Sequence, residues 1–153
     1  MTARHGTAEW YGDMERGSGT ITVGDDVFAD DYSYAARFAD GGETNPEQLL
    51  AAAHCGCFTM ALAHLLCAAG HAVESVRTKA HVGLRHVEGQ PTLSRIYLDT
   101  VGDVPGIHEH QFQTYAERAK AESPLSWALA GIPAIVLTAR LRGGPSAMEP
   151  RYR

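Results

Sequence analysis

At 153 residues, with 44% apolar and 20% charged side chains, the chain has the make-up of one soluble globular domain. A formal net charge of -5 leaves no basic stripe to neutralise phosphates, which excludes a nucleic-acid binder. The first residues lack the apolar segment of a signal peptide, so a cytoplasmic protein is expected, in which the three cysteines are thiols and not a disulfide framework.

Two β-branched or aromatic runs come first, residues 7–11 (TAEWY) and 18–23 (SGTITV), with a Gly- and charge-containing connection between them that reads as a hairpin. Residues 30–38 (DDYSYAARF) predict a further strand, which delivers Arg37 and Phe38 just ahead of the loop ADGGET. Next comes a long helix, residues 45–70. Asn45 is its cap, Pro46 its first position, Gln48 a candidate to close a capping box, and Gly70 its terminator. Between Gln48 and Gly70 there is no Lys, Arg, Asp or Glu, and apolar or small residues fall on every face, the pattern of a helix buried all round. At about 1.5 Å per residue it runs roughly 36 Å. That length also suits a membrane span, but the stretch is Ala-rich, carries Gln48, His54, Gly56, Thr59 and His64, and has no flanking basic cluster, so a core helix of a soluble protein is predicted.

Residues 73–87 alternate, with Val76, Thr78, Ala80, Val82 and Leu84 on one face and Arg77, Lys79, His81 and Arg85 on the other, as in a half-buried strand. After the turn EGQP, residues 92–101 supply its antiparallel partner. A helix is expected over 107–122, with Phe112, Tyr115, Ala116 and Ala119 at helical spacing. Ser123 and Pro124 then start a short helix as cap and first position, and residues 133–141 form a last strand. The tail, 143–153, lacks periodicity and is expected to be disordered, leaving 1–142 as a single domain. This order predicts an α+β fold of mostly antiparallel sheets wrapped around a long central helix. So short a chain cannot by itself enclose a helix that is apolar on all sides, so an intertwined homodimer with packed central helices is expected.

The reactive candidate is Cys57, although a Cys in an apolar helix is more often a small core residue. To react it must be a thiolate, and about three turns into the helix it gains little from the helix dipole. Another positive group is needed. His54, three residues earlier, is one option, and Arg37, a permanent charge, is the better one. His54, Cys55, Cys57 and His64 do not converge as a metal site, because Cys55 points away and His64 lies two turns on.

The string TNPEQLLAAAHCGCFTMAL (residues 44–62), with Arg37 and Phe38 shortly before it, resembles the family of osmotically inducible protein C and organic hydroperoxide resistance proteins. The resemblance continues in AEWYGDMERGSGT (8–20), VPGI (104–107) and AKAESPLSWAL (119–129), and is closer to the first-named branch. It implies an intertwined homodimer, without cofactor, that reduces organic hydroperoxides and hydrogen peroxide with a cysteine pair and an external dithiol, lipoyl-type or a small thiol, in the oxidative and osmotic stress response. Carried over, Cys57 attacks the peroxide, Arg37 holds it as thiolate, and Glu47 fixes the Arg. The family's pocket is apolar, and Phe58, Met60 and Trp127 are candidates to line it.

One position departs from the family. Where the second cysteine of the pair is expected, just before Pro124, this chain has Ser123, which keeps the helix cap but cannot form a disulfide. Three readings follow: Cys55 resolves Cys57 after local unwinding, since residues i and i+2 point about 200° apart; an external thiol resolves it; or the site is blocked, and the protein is a non-catalytic homodimer binding an apolar ligand. Glu47 and Cys57 are about 15 Å apart along the helix, which favours a site shared between two chains.

Overall fold

The computed structural model describes residues 4–39 and 42–143, so the tail expected to be disordered lies, Gly143 apart, outside the described residues. Close contacts divide the chain into two compact units that meet at the Leu49 to Leu50 bond. Among the described residues the fold is α+β, with two three-stranded sheets and four helices.

In the first unit β1 (Gly6–Tyr11), β2 (Ser18–Val23) and β3 (Phe28–Ser33) form an antiparallel meander. Its register sets Gly19 between Trp10 and Tyr32 on neighbouring strands. A β-carbon on Gly19 would lie 2.6 Å from Tyr32 Cε1, so glycine is what lets the two rings close to 5.2 Å between centroids. The strand expected over 30–38 ends early. Residues Tyr34–Phe38 are instead the short helix α1, because Ser33 Oγ accepts the Ala36 N–H at 3.1 Å and caps a turn rich in helix-favouring Ala.

The long helix α2 (Pro46–Ala68) begins in the first unit and continues into the second. Asn45 Oδ1 accepts the Gln48 N–H at 2.9 Å, which makes Asn45 the cap. At the other end Gly70 adopts φ +84°, its N–H donates to Cys67 O, and the His71 N–H donates to Leu66 O, the paired bonds of a Schellman motif.

The second unit is built on β4 (Ser75–Val87) and β5 (Gln90–Asp103), an antiparallel hairpin turned at Glu88 and Gly89. Both turn residues have positive φ, 52° and 81°, as tight two-residue hairpins require. The helices α3 (Glu109–Glu122) and α4 (Pro124–Ala128) carry the chain back, so β6 (Ile135–Leu141) lies parallel to β5. Phe58, Leu62 and Leu66 of α2 pack with Ile96 and Leu98 of β5 and Phe112 of α3 in the core.

Within one chain α2 is not buried all round. His54, Phe58, Leu62, Leu65 and Leu66 are buried, whereas Ala52, Ala53, Gly56, Met60 and Cys67 are exposed. The reason is geometric: one three-stranded sheet with its crossover helices α3 and α4 covers only one side of a helix. By length and composition alone α2 also passes as a membrane span, but its buried stripe is core packing.

Helix α3 lies close over β5 because residue 102 is glycine. A β-carbon there would sit 2.5 Å from Phe112 Cζ. Gly102→Ala is therefore expected to destabilise the fold by about 1–3 kcal/mol through overpacking. Urea unfolding would read this as a lower midpoint, and an unchanged midpoint would show that α3 shifts without cost.

Candidate active site

Cys57 is partly buried on α2 and faces the junction between α3 and α4, where Ser123 sits. The Ser123 hydroxyl donates to Cys57 Sγ at 3.2 Å, across 66 residues of sequence. Ser123 has 0% exposure and occupies the N-cap position of α4, yet its side chain makes no capping bond. This corrects the expectation that the serine is kept as a cap: the hydroxyl is turned to the sulfur instead. One helical turn away on each element a second bond runs beside the first. His54 Nε2 and Ser126 Oγ are 3.0 Å apart. His54 is buried with 0% exposure, and burial lowers its pKa, so the imidazole is neutral.

In the first unit Arg37 and Glu47 meet. The connection is short and pinned, because Asn45 caps α2 with its Oδ1 while its Nδ2 donates to Ala36 O at 2.8 Å. That holds the end of α1 against the start of α2 and sets Arg37 beside Glu47. Arg37 Nε and Nη2 both donate to Glu47 Oε1, at 3.1 and 2.9 Å. The Glu47 side chain is only 12% exposed, and its Oε2 has no hydrogen-bond partner among the described residues. A buried carboxylate with one bare oxygen is stable here because the guanidinium balances its charge. Arg37 also borders a cavity of about 230 Å³ walled by Trp10, Met14, Tyr32, Tyr34 and Phe38. The sequence reading missed this aromatic wall.

Residues 39–138 match the family model described as OsmC-like protein. The chain belongs to the OsmC family. It is 38% identical over 127 residues to Peroxiredoxin OsmC of Escherichia coli (strain K12), an alignment covering 82% of this chain and 89% of that protein. Peroxidase-type function is thus supported for the family. Among solved structures, an organic hydroperoxide resistance protein from Elizabethkingia anophelis, with crystallant-derived thiocyanate bound, superposes with a TM-score of 0.73 at 25% identity, covering 92% of this chain and 99% of that one. The organic hydroperoxide resistance protein OsmC from Legionella pneumophila shares the fold, with a TM-score of 0.72 at 23% identity and the same coverage, 92% and 99%.

The other residues singled out in this OsmC-family sequence are not gathered at Cys57. Cys55 faces β4: a hydrogen bond with the Ala80 backbone favours its thiolate, but burial outweighs it and pushes the thiol up. It points away from Cys57, as the helical spacing implies. Phe58 is sealed in the core at 0% exposure, so within one chain it lines no open pocket, while Met60 is 75% exposed on the opposite side of α2. Trp127, 76% exposed, borders a groove of about 420 Å³ with Lys120, Ala121, Ala130 and Ile135, and its indole N–H donates to Ala121 O at 2.7 Å. Three side chains chosen as one pocket therefore lie in three environments. Among the described residues no three His, Cys, Asp or Glu form a group placed to hold a metal ion.

Proposed function

We propose that this chain is a thiol peroxidase that reduces organic hydroperoxides and hydrogen peroxide at Cys57, with Arg37 and Glu47 in the catalytic site. The observation that carries this reading is the Ser123 hydroxyl on Cys57 Sγ, at the position where the family resemblance expects the resolving cysteine. The Cys57 thiolate attacks one peroxide oxygen. An S–O bond forms, the O–O bond breaks, and the departing alkoxide takes a proton to leave as the alcohol. Cys57 is then a sulfenic acid. Without a cysteine at 123, an external thiolate attacks that sulfur and releases water, and a second thiol reduces the mixed disulfide back to Cys57. Arg37 favours the thiolate and the departing oxygen, and Glu47 holds the guanidinium in place. The hydrocarbon part of the substrate lies in the aromatic cavity beside Arg37.

The working unit is a cytoplasmic homodimer of one OsmC-like domain, residues 1–142. The exposed apolar face of α2, with Gly56 and Met60 at its centre, is covered by the α2 of a second copy.

The test is peroxide consumption with dithiothreitol as reductant, together with mass mapping after one equivalent of cumene hydroperoxide. The expected result is oxygen added at Cys57 alone, with Cys57→Ala losing both oxidation and turnover. If a folded chain consumed no peroxide and left Cys57 unmodified, the non-catalytic, ligand-binding reading would replace this one.

A further inference from the structure

We propose that Ser123 is a working hydrogen-bond donor to the Cys57 thiolate, and that the His54–Ser126 pair is the latch that keeps it there. The inference rests on the reading of Cys57 as the reacting sulfur, and it changes what the missing cysteine means. Position 123 would not be an empty place in a two-cysteine cycle. It would be part of the apparatus that makes one cysteine reactive.

Several features point the same way. A serine at an N-cap ordinarily spends its oxygen on the backbone N–H groups of the first turn. Ser123 does not, and its hydroxyl reaches Cys57 Sγ at 3.2 Å. A thiol sulfur is a weak acceptor, whereas a thiolate receives a charge-assisted bond, so a fixed hydroxyl at this distance favours the charged form. Ser123 is fully buried, so its hydroxyl is shielded from water on the donor side of the bond.

The hydroxyl is fixed only if α4 is fixed, and α4 has five residues, too few to hold itself. His54 stands three residues before Cys57 on α2, and Ser126 three residues after Ser123, so each pair shares a helix face. Their 3.0 Å bond ties α4 to α2 one turn from the sulfur. His54 touches neither Cys57 Sγ nor Ser123 Oγ by any hydrogen bond in the structure, so it is a positioning residue and not a catalytic one. Burial lowers its pKa and so disfavours a charge there, and this separates the latch from the cationic role that its sequence position suggests.

Alkylation by iodoacetamide tests this, with modification of Cys57 counted by peptide mass mapping so that Cys55 and Cys67 do not enter. In that reaction the Cys57 thiolate attacks the methylene carbon, an S–C bond forms, and iodide leaves. No peroxide is consumed, so a failure of this arrangement and a failure of the peroxidase reading are told apart. At slightly acid pH, Ser123→Ala is expected to slow Cys57 alkylation about tenfold, the size of one hydrogen bond to a charged group. Ser126→Ala and His54→Asn, which break the latch from either side, should each slow it by a smaller factor, and Ser126→Thr should restore the rate. In the Ser123→Ala background neither latch variant should have any further effect. The donor role is overturned if Ser123→Ala alkylates at the wild-type rate. The latch is overturned if its variants slow the reaction equally with and without Ser123, or if Ser126→Thr melts like wild type yet fails to restore the rate. Because two variants break the same bond, the comparison does not hang on either one folding.

Discussion

Ser123→Cys is expected to convert the chain from a peroxidase that waits for an external thiol into one that closes its own disulfide. The serine oxygen already lies 3.2 Å from Cys57 Sγ. A disulfide needs about 2.05 Å between sulfurs; the longer C–S bond of a cysteine at 123 covers part of the difference, and side-chain rotation with a small shift of the α3–α4 junction supplies the rest. After one equivalent of cumene hydroperoxide the variant should lose two titratable thiols where the wild type loses one. Turnover with a dithiol should rise on the order of tenfold or more, because resolution becomes intramolecular. The alkylation assay should respond in the opposite sense, since a thiol is a weaker donor to Cys57 than a hydroxyl. If a folded Ser123→Cys protein kept its sulfenic acid and formed no disulfide, position 123 could not be the resolving place, and the pairing of these two residues would need another meaning.

How far the site could be read from sequence varied with the range of the interaction. The cap at Asn45, the terminator at Gly70 and the β4–β5 hairpin depend on neighbours a few residues away, and they stand where the sequence places them. The turn of α1 is equally local, yet a run containing Tyr32 and Tyr34 looks extended until Ser33 is seen to cap it. The parallel placing of β6 depends on the path of α3 and α4, which no strand pattern encodes. Register hid the aromatic wall beside Arg37: Trp10 and Tyr32 are 22 positions apart, and only the pairing of both with Gly19 brings their rings together. The contact between Cys57 and Ser123 spans 66 residues and was legible through family resemblance alone, while the turning of the serine away from its cap needed the fold.

Arg37→Ala is expected to lower the second-order rate constant for cumene hydroperoxide by about 10²-fold, the usual effect of removing a donor to a developing oxyanion. Arg37→Lys should recover little of that, because two nitrogens of one planar fork engage Glu47 Oε1, and an ammonium offers no such fork. Glu47→Gln keeps the size and an acceptor oxygen but loses the charge that holds the guanidinium, and a loss of about tenfold is expected. Stopped-flow measurement of a single turnover separates these effects from resolution by the external thiol. The same variants ask which chain supplies the arginine. Glu47 precedes Cys57 by about 15 Å along α2, and Arg37 is bound to Glu47 of its own chain. In the dimer proposed here the guanidinium serves the Cys57 of the second copy. Arg37→Ala and Cys57→Ala homodimers should each be nearly inactive, while mixed dimers of the two should regain one intact site, with Cys57 from one chain and Arg37 from the other. Mixed dimers as inactive as their parents would place both residues in a single chain and rule out a site shared in this way.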